Sequence, residues 1–401
     1  MSQSYQNPLN IYIKSNKDLI LGFIMGLLLL LTIFKQSIGL PILFIFIIAV
    51  GGLIKPCKEY LIISGLLIFK IVIIAIITKN NLHDINIENT KILFRKIIID
   101  IIFLFMLFVA LRDETKKGFY YFCIALLVAD LTFNAYAQLS GVSFYGTPLE
   151  IRPGDLIGRS GGVLSHPFYS IDISLVALFC GIFFKSRFVI LLVVVNVFIS
   201  GAQRGLVSLA LIAALYLLFY LKTKRIIIYG LSAAFVLGVF LGVAYLASHN
   251  PELTAHNERI FRWEYGYEVI TSNLSNFNSY IRLQPEIFHP ISINLINSPF
   301  NQNEPLFLFN AEGYYLTDMV NYGLIPGLVS LFVLFCIYII KCSELQNTKS
   351  IESLALSVFS YFIFLDCFYS YTIGAILVIL FYCIYLARSP NPLRAGIRGC
   401  Y

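Results

Sequence analysis

Long apolar runs dominate this chain, and they recur along almost its whole length. The first is Leu19–Phe34, and similar runs follow with only short polar segments between most of them. A helix needs roughly 20 residues to cross a bilayer, and these runs approach or reach that length. Only 13% of the residues are charged, whereas soluble domains carry about 25%. The sequence therefore predicts an all-α, polytopic membrane protein.

Hydropathy predicts about twelve spans. They cover residues 19–34, 38–54, 60–78, 97–111, 118–136, 168–184, 188–201, 205–221, 226–247, 320–340, 352–368 and 370–387. Most of the 29 Lys and Arg residues lie on short segments that share one side if the N-terminus is cytoplasmic. By the positive-inside rule, both termini are then cytoplasmic. The chain, 1–401, is expected to be one transmembrane domain with two long outer loops, 137–167 and 249–311.

Several classes of function are disfavoured by the sequence. The net charge is +7, but the cations are spread through short loops and form no continuous patch, so no nucleic-acid partner is expected. No pair of the eight cysteines has metal-ligand spacing. The chain also lacks a phosphate-cradling glycine motif with lysine, His-Glu-x-x-His and Gly-x-Ser-x-Gly. We expect neither a cofactor nor a metal.

Residues 249–311, here called the great loop, are too long to be a simple connection. They contain the only tryptophan, Trp263, close to Arg259 and Arg262. Arg259 and Trp263 share one face if this segment is helical. Arginines beside an aromatic ring could hold a phosphate and a sugar together. The alternative is an amphipathic helix that rests on the membrane surface.

A second group of candidates ends the first outer loop, in Gly158–Tyr169. Arg159 suits a phosphate because its planar guanidinium donates two parallel hydrogen bonds, and the glycines that follow it allow a close backbone approach. The alternative for Arg159 is an interaction with lipid headgroups. His166 precedes Pro167 and is either a turn residue at the start of a span or a catalytic base.

Two further candidates lie where polar residues meet predicted spans. Arg204 follows the tight Ser200–Gly205 turn between two apolar runs, and an arginine near hydrocarbon marks a functional site by default. Its alternative is a headgroup anchor. Glu312 stands where the great loop returns to the membrane, shortly before Tyr314. There it is either a general base or an acidic residue favoured at a helix N-terminus.

Ionisable residues also occur within or near the predicted spans. They are Lys70, Asp100, Asp130, Asp172 and Asp366. Buried carboxylates in a membrane are costly, so they mark either an ion path or structural partners. Lys70 is a candidate partner for one of these aspartates.

The order of these motifs resembles the O-antigen ligase and O-antigen polymerase superfamily. Its recurrent pieces correspond here to Arg159–Pro167, Ser200–Gly205, Arg259–Trp263, and Glu312 through the Tyr322-Gly323-Leu324-Ile325-Pro326-Gly327 stretch. The resemblance covers roughly the second two-thirds of the chain. It implies about a dozen spans with one large periplasmic loop, similar to membrane glycosyltransferases of the GT-C type.

The resemblance also implies a substrate class and roles for residues. Family members act on undecaprenyl-diphosphate-linked glycans without nucleotide sugars or an obligatory metal. Ligases have a histidine where the large loop returns to the membrane, whereas this chain has Glu312, which favours a Wzy-type polymerase. The implied catalytic residues are Glu312, Arg204 and Arg259, and the implied substrate-binding residues are Arg159, Arg262, His166, Trp263 and Tyr314.

The expected location is the bacterial inner membrane, where a chain-length regulator is a candidate partner. Three alternatives stay open at this point. The first is an O-antigen ligase that transfers glycan to lipid A-core. The second is a transporter or flippase of polysaccharide or lipid-linked oligosaccharide, which would favour inverted repeats that this sequence does not display. The third is a membrane scaffold without chemistry.

Overall fold

The computed structural model is mostly helical, with 83% of its described residues in helices. It describes residues 8–34, 36–53, 58–80, 97–102, 104–105, 108–151, 157–164, 166–220, 280–281, 314–345, 357–358 and 361. The predicted spans 226–247 and 370–387 and most of 352–368 lie outside these residues. The prediction of an all-α chain is thus confirmed in its coarse form, as a mostly helical structure, and the number of spans stays a prediction.

The named helices follow the apolar runs closely. They are α1 (Pro8–Phe34), α2 (Gln36–Val50), α3 (Lys58–Asn80), α4 (Asp113–Ser140), α5 (Pro167–Phe183), α6 (Arg187–Ile199), α7 (Gln203–Tyr220), α8 (Tyr314–Tyr322) and α9 (Leu324–Leu345). Among the described residues, three segments are long and apolar enough to cross a membrane: Asn16–Phe34, Tyr60–Ile77 and Asp113–Ser140. Helices α2, α5, α6, α7 and α9 contain shorter apolar segments.

Helices α1 and α4 pack against each other through glycines. A Cβ atom on Gly22 would overlap the Thr115 carbonyl, and one on Gly118 would overlap the Leu19 carbonyl. Small residues allow helix backbones to approach closely, which is how many membrane helices associate. Near the same end of this helix pair, Arg112 forms an ion pair of 3.1 Å with Asp18. The first predicted span is therefore fixed against the fifth.

The fourth predicted span, 97–111, is wrong at its C-terminal end. Val109–Ala110 forms a short strand, β2, which pairs antiparallel with β1, Gly52–Leu53. This two-residue ladder connects the end of α2 to the segment just before α4. Helical structure is found earlier in the predicted span, in residues 97–102 and 104–105. The apolar composition of this segment does not distinguish a helix from a buried strand.

The helices differ from the predicted spans at two other places. Helix α4 continues to Ser140 and is capped by Gly141 at φ 72°, whose N–H donates to the Ala137 carbonyl. The helix thus extends a few residues into the segment predicted as the first outer loop, about 137–167. The predicted span 320–340 is interrupted by Gly323 at φ 103°, because that conformation ends α8 before α9 begins.

Candidate functional site

The backbone around Arg159 lies between two other segments of the chain. The Arg159 N–H donates to the Glu150 carbonyl at 2.8 Å, and the Ser160 N–H donates to the Ser200 carbonyl at 2.9 Å. The first bond links Arg159 to the loop that follows α4. The second links its neighbour to the turn between α6 and α7. Arg159 is half-buried at this position.

The turn between α6 and α7 packs directly against the backbone of the Arg159 segment. Gly201 has φ 68°, and a Cβ atom there would overlap the Gly158 carbonyl. Only glycine is compatible with both conditions. Two motifs that are far apart in the sequence are thus brought together. We call this contact, between residues 158–160 and 199–201, the arginine junction.

The side chain of Gln138 bridges the arginine junction. Its Nε2 atom donates to the Gly158 carbonyl at 2.6 Å and to the Ile199 carbonyl at 2.9 Å. Gln138 lies in the last turn of α4, so α4 contacts both segments at once. A side-chain amide has two N–H donors, and both are used here.

A buried polar network lies deeper on the same helix, centred on Asp130. Its Oδ1 accepts the Val163 N–H at 3.0 Å, within the 3-10 turn Gly162–Leu164. Its Oδ2 accepts from Ser170 and, at 2.9 Å, from Nδ2 of Asn196. Asn134 also donates to Asp130 at 3.2 Å and to Asn196 Oδ1 at 2.9 Å. Asp130 is fully buried, and these bonds replace the water that its carboxylate would otherwise require.

Arg204 forms a buried ion pair with Asp172 on α5. Its Nη2 atom lies 3.2 Å from Asp172 Oδ1, and the side chains are 7% and 4% exposed. A buried arginine of this kind needs a carboxylate because isolated charges are costly in a low-dielectric interior. The pair ties the start of α7 to α5. It also means that Asp172 offsets part of the positive charge that Arg204 would offer to a ligand.

His166 directly precedes α5 and is exposed. Its carbonyl accepts the N–H groups of Tyr169 at 3.1 Å and Ser170 at 3.3 Å. Its ring centroid lies 5.4 Å from that of Tyr169. The interpretation of His166 as a turn residue before a helix is confirmed, and its role as a substrate contact stays a prediction.

The other conspicuous polar cluster joins α3 to α8. Lys70 Nζ lies 3.0 Å from Asp100 Oδ1 and 2.8 Å from Asp318 Oδ2, and all three side chains are fully buried. Ser330 on α9 donates to the same Asp318 oxygen at 2.5 Å. The predicted pairing of Lys70 with a span aspartate is confirmed for Asp100. Asp318 was not predicted as a partner of Lys70, although it lies in the segment that begins at Glu312.

One short piece of the great loop is described, and it contacts the break between α8 and α9. The Tyr280 carbonyl accepts the Ile325 N–H at 3.0 Å. Ile281 packs against an apolar cluster that includes Ile74 and Tyr322. A Cβ atom on Gly323 would overlap the Tyr280 carbonyl. Residues 280–281 of the great loop therefore contact the Tyr322-Gly323 motif, where α8 ends.

Four of the predicted site residues lie outside the described residues: Glu312, Arg259, Arg262 and Trp263. Tyr314 is described as the first residue of α8. Three polar residues at the site were missed in the sequence, Asn134, Gln138 and Asn196. A signal for two of them was present, because Asp130, Asn134 and Gln138 recur every four residues and so share one face of an apolar helix.

Comparison with protein-family models, with curated proteins and with solved structures found no match. The family resemblance therefore depends on the order of its four motifs. The structure describes the Arg159 and Arg204 motifs almost completely, together with the Tyr322–Gly327 part of the fourth. The arginine junction joins the first two of these motifs in space.

Proposed function

We propose that this protein is a membrane glycosyltransferase that polymerises undecaprenyl-diphosphate-linked oligosaccharide repeat units. The reaction takes place at the outer face of the bacterial inner membrane, within a bundle of about twelve spans. The main support is the arginine junction, in which the Arg159 segment contacts the turn that leads into Arg204. Two arginine-bearing segments in contact suit a reaction in which a diphosphate leaves.

The proposed chemistry is a direct transfer between two lipid-linked glycans. The anomeric carbon of the donor loses its bond to the diphosphate oxygen and gains one to an acceptor hydroxyl oxygen. Glu312 accepts the hydroxyl proton, and undecaprenyl diphosphate leaves with the bonding electrons. Arg159, Arg204 and Arg259 stabilise the negative charge on the diphosphate. Arg262, Trp263, His166 and Tyr314 contact the glycans.

A test of the role of Arg204 must account for its ion pair with Asp172. Arg204→Ala alone removes the cation of this buried pair and leaves the Asp172 carboxylate in place. Such a change is destabilising by about 3–5 kcal/mol. The double variant Arg204→Ala with Asp172→Asn removes that charge as well. If Arg204 acts on the substrate, the double variant regains membrane abundance but not long glycan chains.

The test compares the glycan ladders of cells that express the wild-type chain, Arg204→Ala, the double variant or Arg159→Ala. Loss of one charge-stabilising donor typically costs about a hundred- to a thousand-fold in rate. We expect a single repeat unit in all three variants. Long chains in the double variant would exclude Arg204 from the reaction, and long chains in Arg159→Ala would contradict the proposed site. A deletion that removes all surface antigen would instead indicate a ligase.

A second candidate function is transport of a lipid-linked glycan. The buried Lys70–Asp100–Asp318 cluster supports it, because ionisable groups among membrane helices commonly mark ion paths. Purified protein in detergent separates the two candidates, since a micelle has no compartments. A glycosyltransferase still extends lipid-linked repeat units there, whereas a transporter forms no product.

A further inference from the structure

Helix α4 holds the backbone on both sides of Arg159. On one side, Gln138 donates to the carbonyl of Gly158 at 2.6 Å. On the other side, Asp130 accepts the N–H of Val163 at 3.0 Å. Gln138 and Asp130 are two helical turns apart on one face of α4. The four residues between these contacts, 159–162, are therefore fixed to a single rigid element.

The contact between the Arg159 segment and Asp130 requires glycine at position 162. Gly162 has φ 53°, and a Cβ atom there would overlap the Asp130 carboxylate. The backbone can approach Asp130 only because residue 162 has no side chain. Gly201 makes the matching approach to the Gly158 carbonyl on the other side of the Arg159 segment.

The second bond of Gln138 extends the attachment to α6. Its donation to the Ile199 carbonyl at 2.9 Å fixes the residue just before the turn that leads to Arg204. Loss of this one side-chain amide would remove hydrogen bonds from both arginine-bearing segments. The backbone bond from the Ser160 N–H to the Ser200 carbonyl would still join the two segments.

We infer that Gln138 is a positioning residue for Arg159, assisted by Asp130 from the opposite side. The inference rests on the proposed function, in which Arg159 binds the diphosphate of the donor. Preorganised donors need no rearrangement when charge develops on the leaving group. A misplacement of about 1 Å can reduce a rate by roughly a hundredfold, so holding the Arg159 backbone is a functional requirement in its own right.

The test replaces Gln138 without replacing either arginine. Gln138→Met keeps a similar length and removes both donors, and Gln138→Glu also places a carboxylate against two carbonyl oxygens. Tyr136→Phe is the matched control, because Tyr136 is on the same helix and is 55% exposed. The first measurement is hydrogen exchange of residues 157–164 in detergent. We expect about tenfold faster exchange in Gln138→Met, more in Gln138→Glu, and no change in Tyr136→Phe. Unchanged exchange in both Gln138 variants would overturn the inference.

The second measurement is binding of undecaprenyl diphosphate to purified protein. Gln138→Met should weaken binding about tenfold, through loss of the Arg159 contact. If Gln138 acts through Arg159, adding Gln138→Met to Arg159→Ala should weaken binding no further. Additive losses would show that Gln138 acts independently and would overturn its positioning role. A wild-type protein that does not bind this probe would refute the proposed function, while the exchange data would still decide whether Gln138 holds the segment.

Discussion

Replacement of Lys70 by methionine should be among the most destabilising single changes in the described part of the chain. Lys70 contacts Asp100 at 3.0 Å and Asp318 at 2.8 Å, and all three side chains are fully buried. Removal of one partner from a buried ion pair typically costs about 3–5 kcal/mol. Lys70→Met deprives two carboxylates of a cation at once, so we expect the upper end of that range. Asp100→Asn should cost less, because Lys70 keeps its contact with Asp318.

The assay is reversible unfolding of the purified protein in mixed micelles, with helicity followed as denaturing detergent is added. Lys79→Met is the matched control, since Lys79 is exposed in the last turn of the same helix. A surface change of this kind stays within about 0.5 kcal/mol. A triple variant, Lys70→Met with Asp100→Leu and Asp318→Leu, removes all three charges and should regain most of the lost stability.

Two results would refute this reasoning. The first is a loss below about 1 kcal/mol for Lys70→Met, which would mean that the buried carboxylates do not depend on the lysine. The second is a triple variant no more stable than Lys70→Met. In that case the lost stability would come from packing around the side chains and not from uncompensated charge.

Three further predictions use the same purified protein. Gly162→Ala should lower the free energy of unfolding more than Gly146→Ala does. Both positions have positive φ, which costs about 1–2 kcal/mol, but only a side chain at 162 would also overlap the Asp130 carboxylate. Equal losses would contradict that contact. Gly323→Ala should expose residues 280–281 to protease, because the added Cβ would overlap the Tyr280 carbonyl. Gly65→Ala is the control, since a Cβ there meets nothing within 4 Å. Equal cleavage rates would argue against the contact with Tyr280. Glu312→Gln should reach the membrane at wild-type levels and leave a single repeat unit, and wild-type chain lengths in that variant would remove Glu312 as the base.

Most helices were predictable from the sequence, because they follow apolar runs that have few other stable conformations in a bilayer. Helix α8 was not, because it is more polar and most of it precedes the predicted span 320–340. The strand at Val109–Ala110 was not, since its residues are as apolar as those of a helix. The break at Gly323 has a sequence signal in retrospect, a glycine followed closely by Pro326. Hydropathy averages over such single residues, so it predicted one continuous span from 320.

The candidate site was predicted in part for a similar physical reason. The individual motifs around Arg159 and Arg204 can be read from the chain, but their contact depends on the packing of α4 against α6. Asp172 as the partner of Arg204 could not be assigned, because several aspartates lie in apolar runs and sequence distance does not select among them. The periodicity of Asp130, Asn134 and Gln138 was the one available indication that α4 faces the site.

The contact at Tyr280 divides the great loop into two parts whose lengths can change separately. Its carbonyl bonds to Ile325, and Ile281 is packed in an apolar cluster, so the loop is fixed at a point near its middle. Residues 249–279 and 282–311 are then two separate tethered segments, each with its own ends. The entropy of closing a loop grows only slowly with its length, by about 0.6 kcal/mol per doubling. Either segment could therefore be lengthened or exchanged by grafting without disturbing the other.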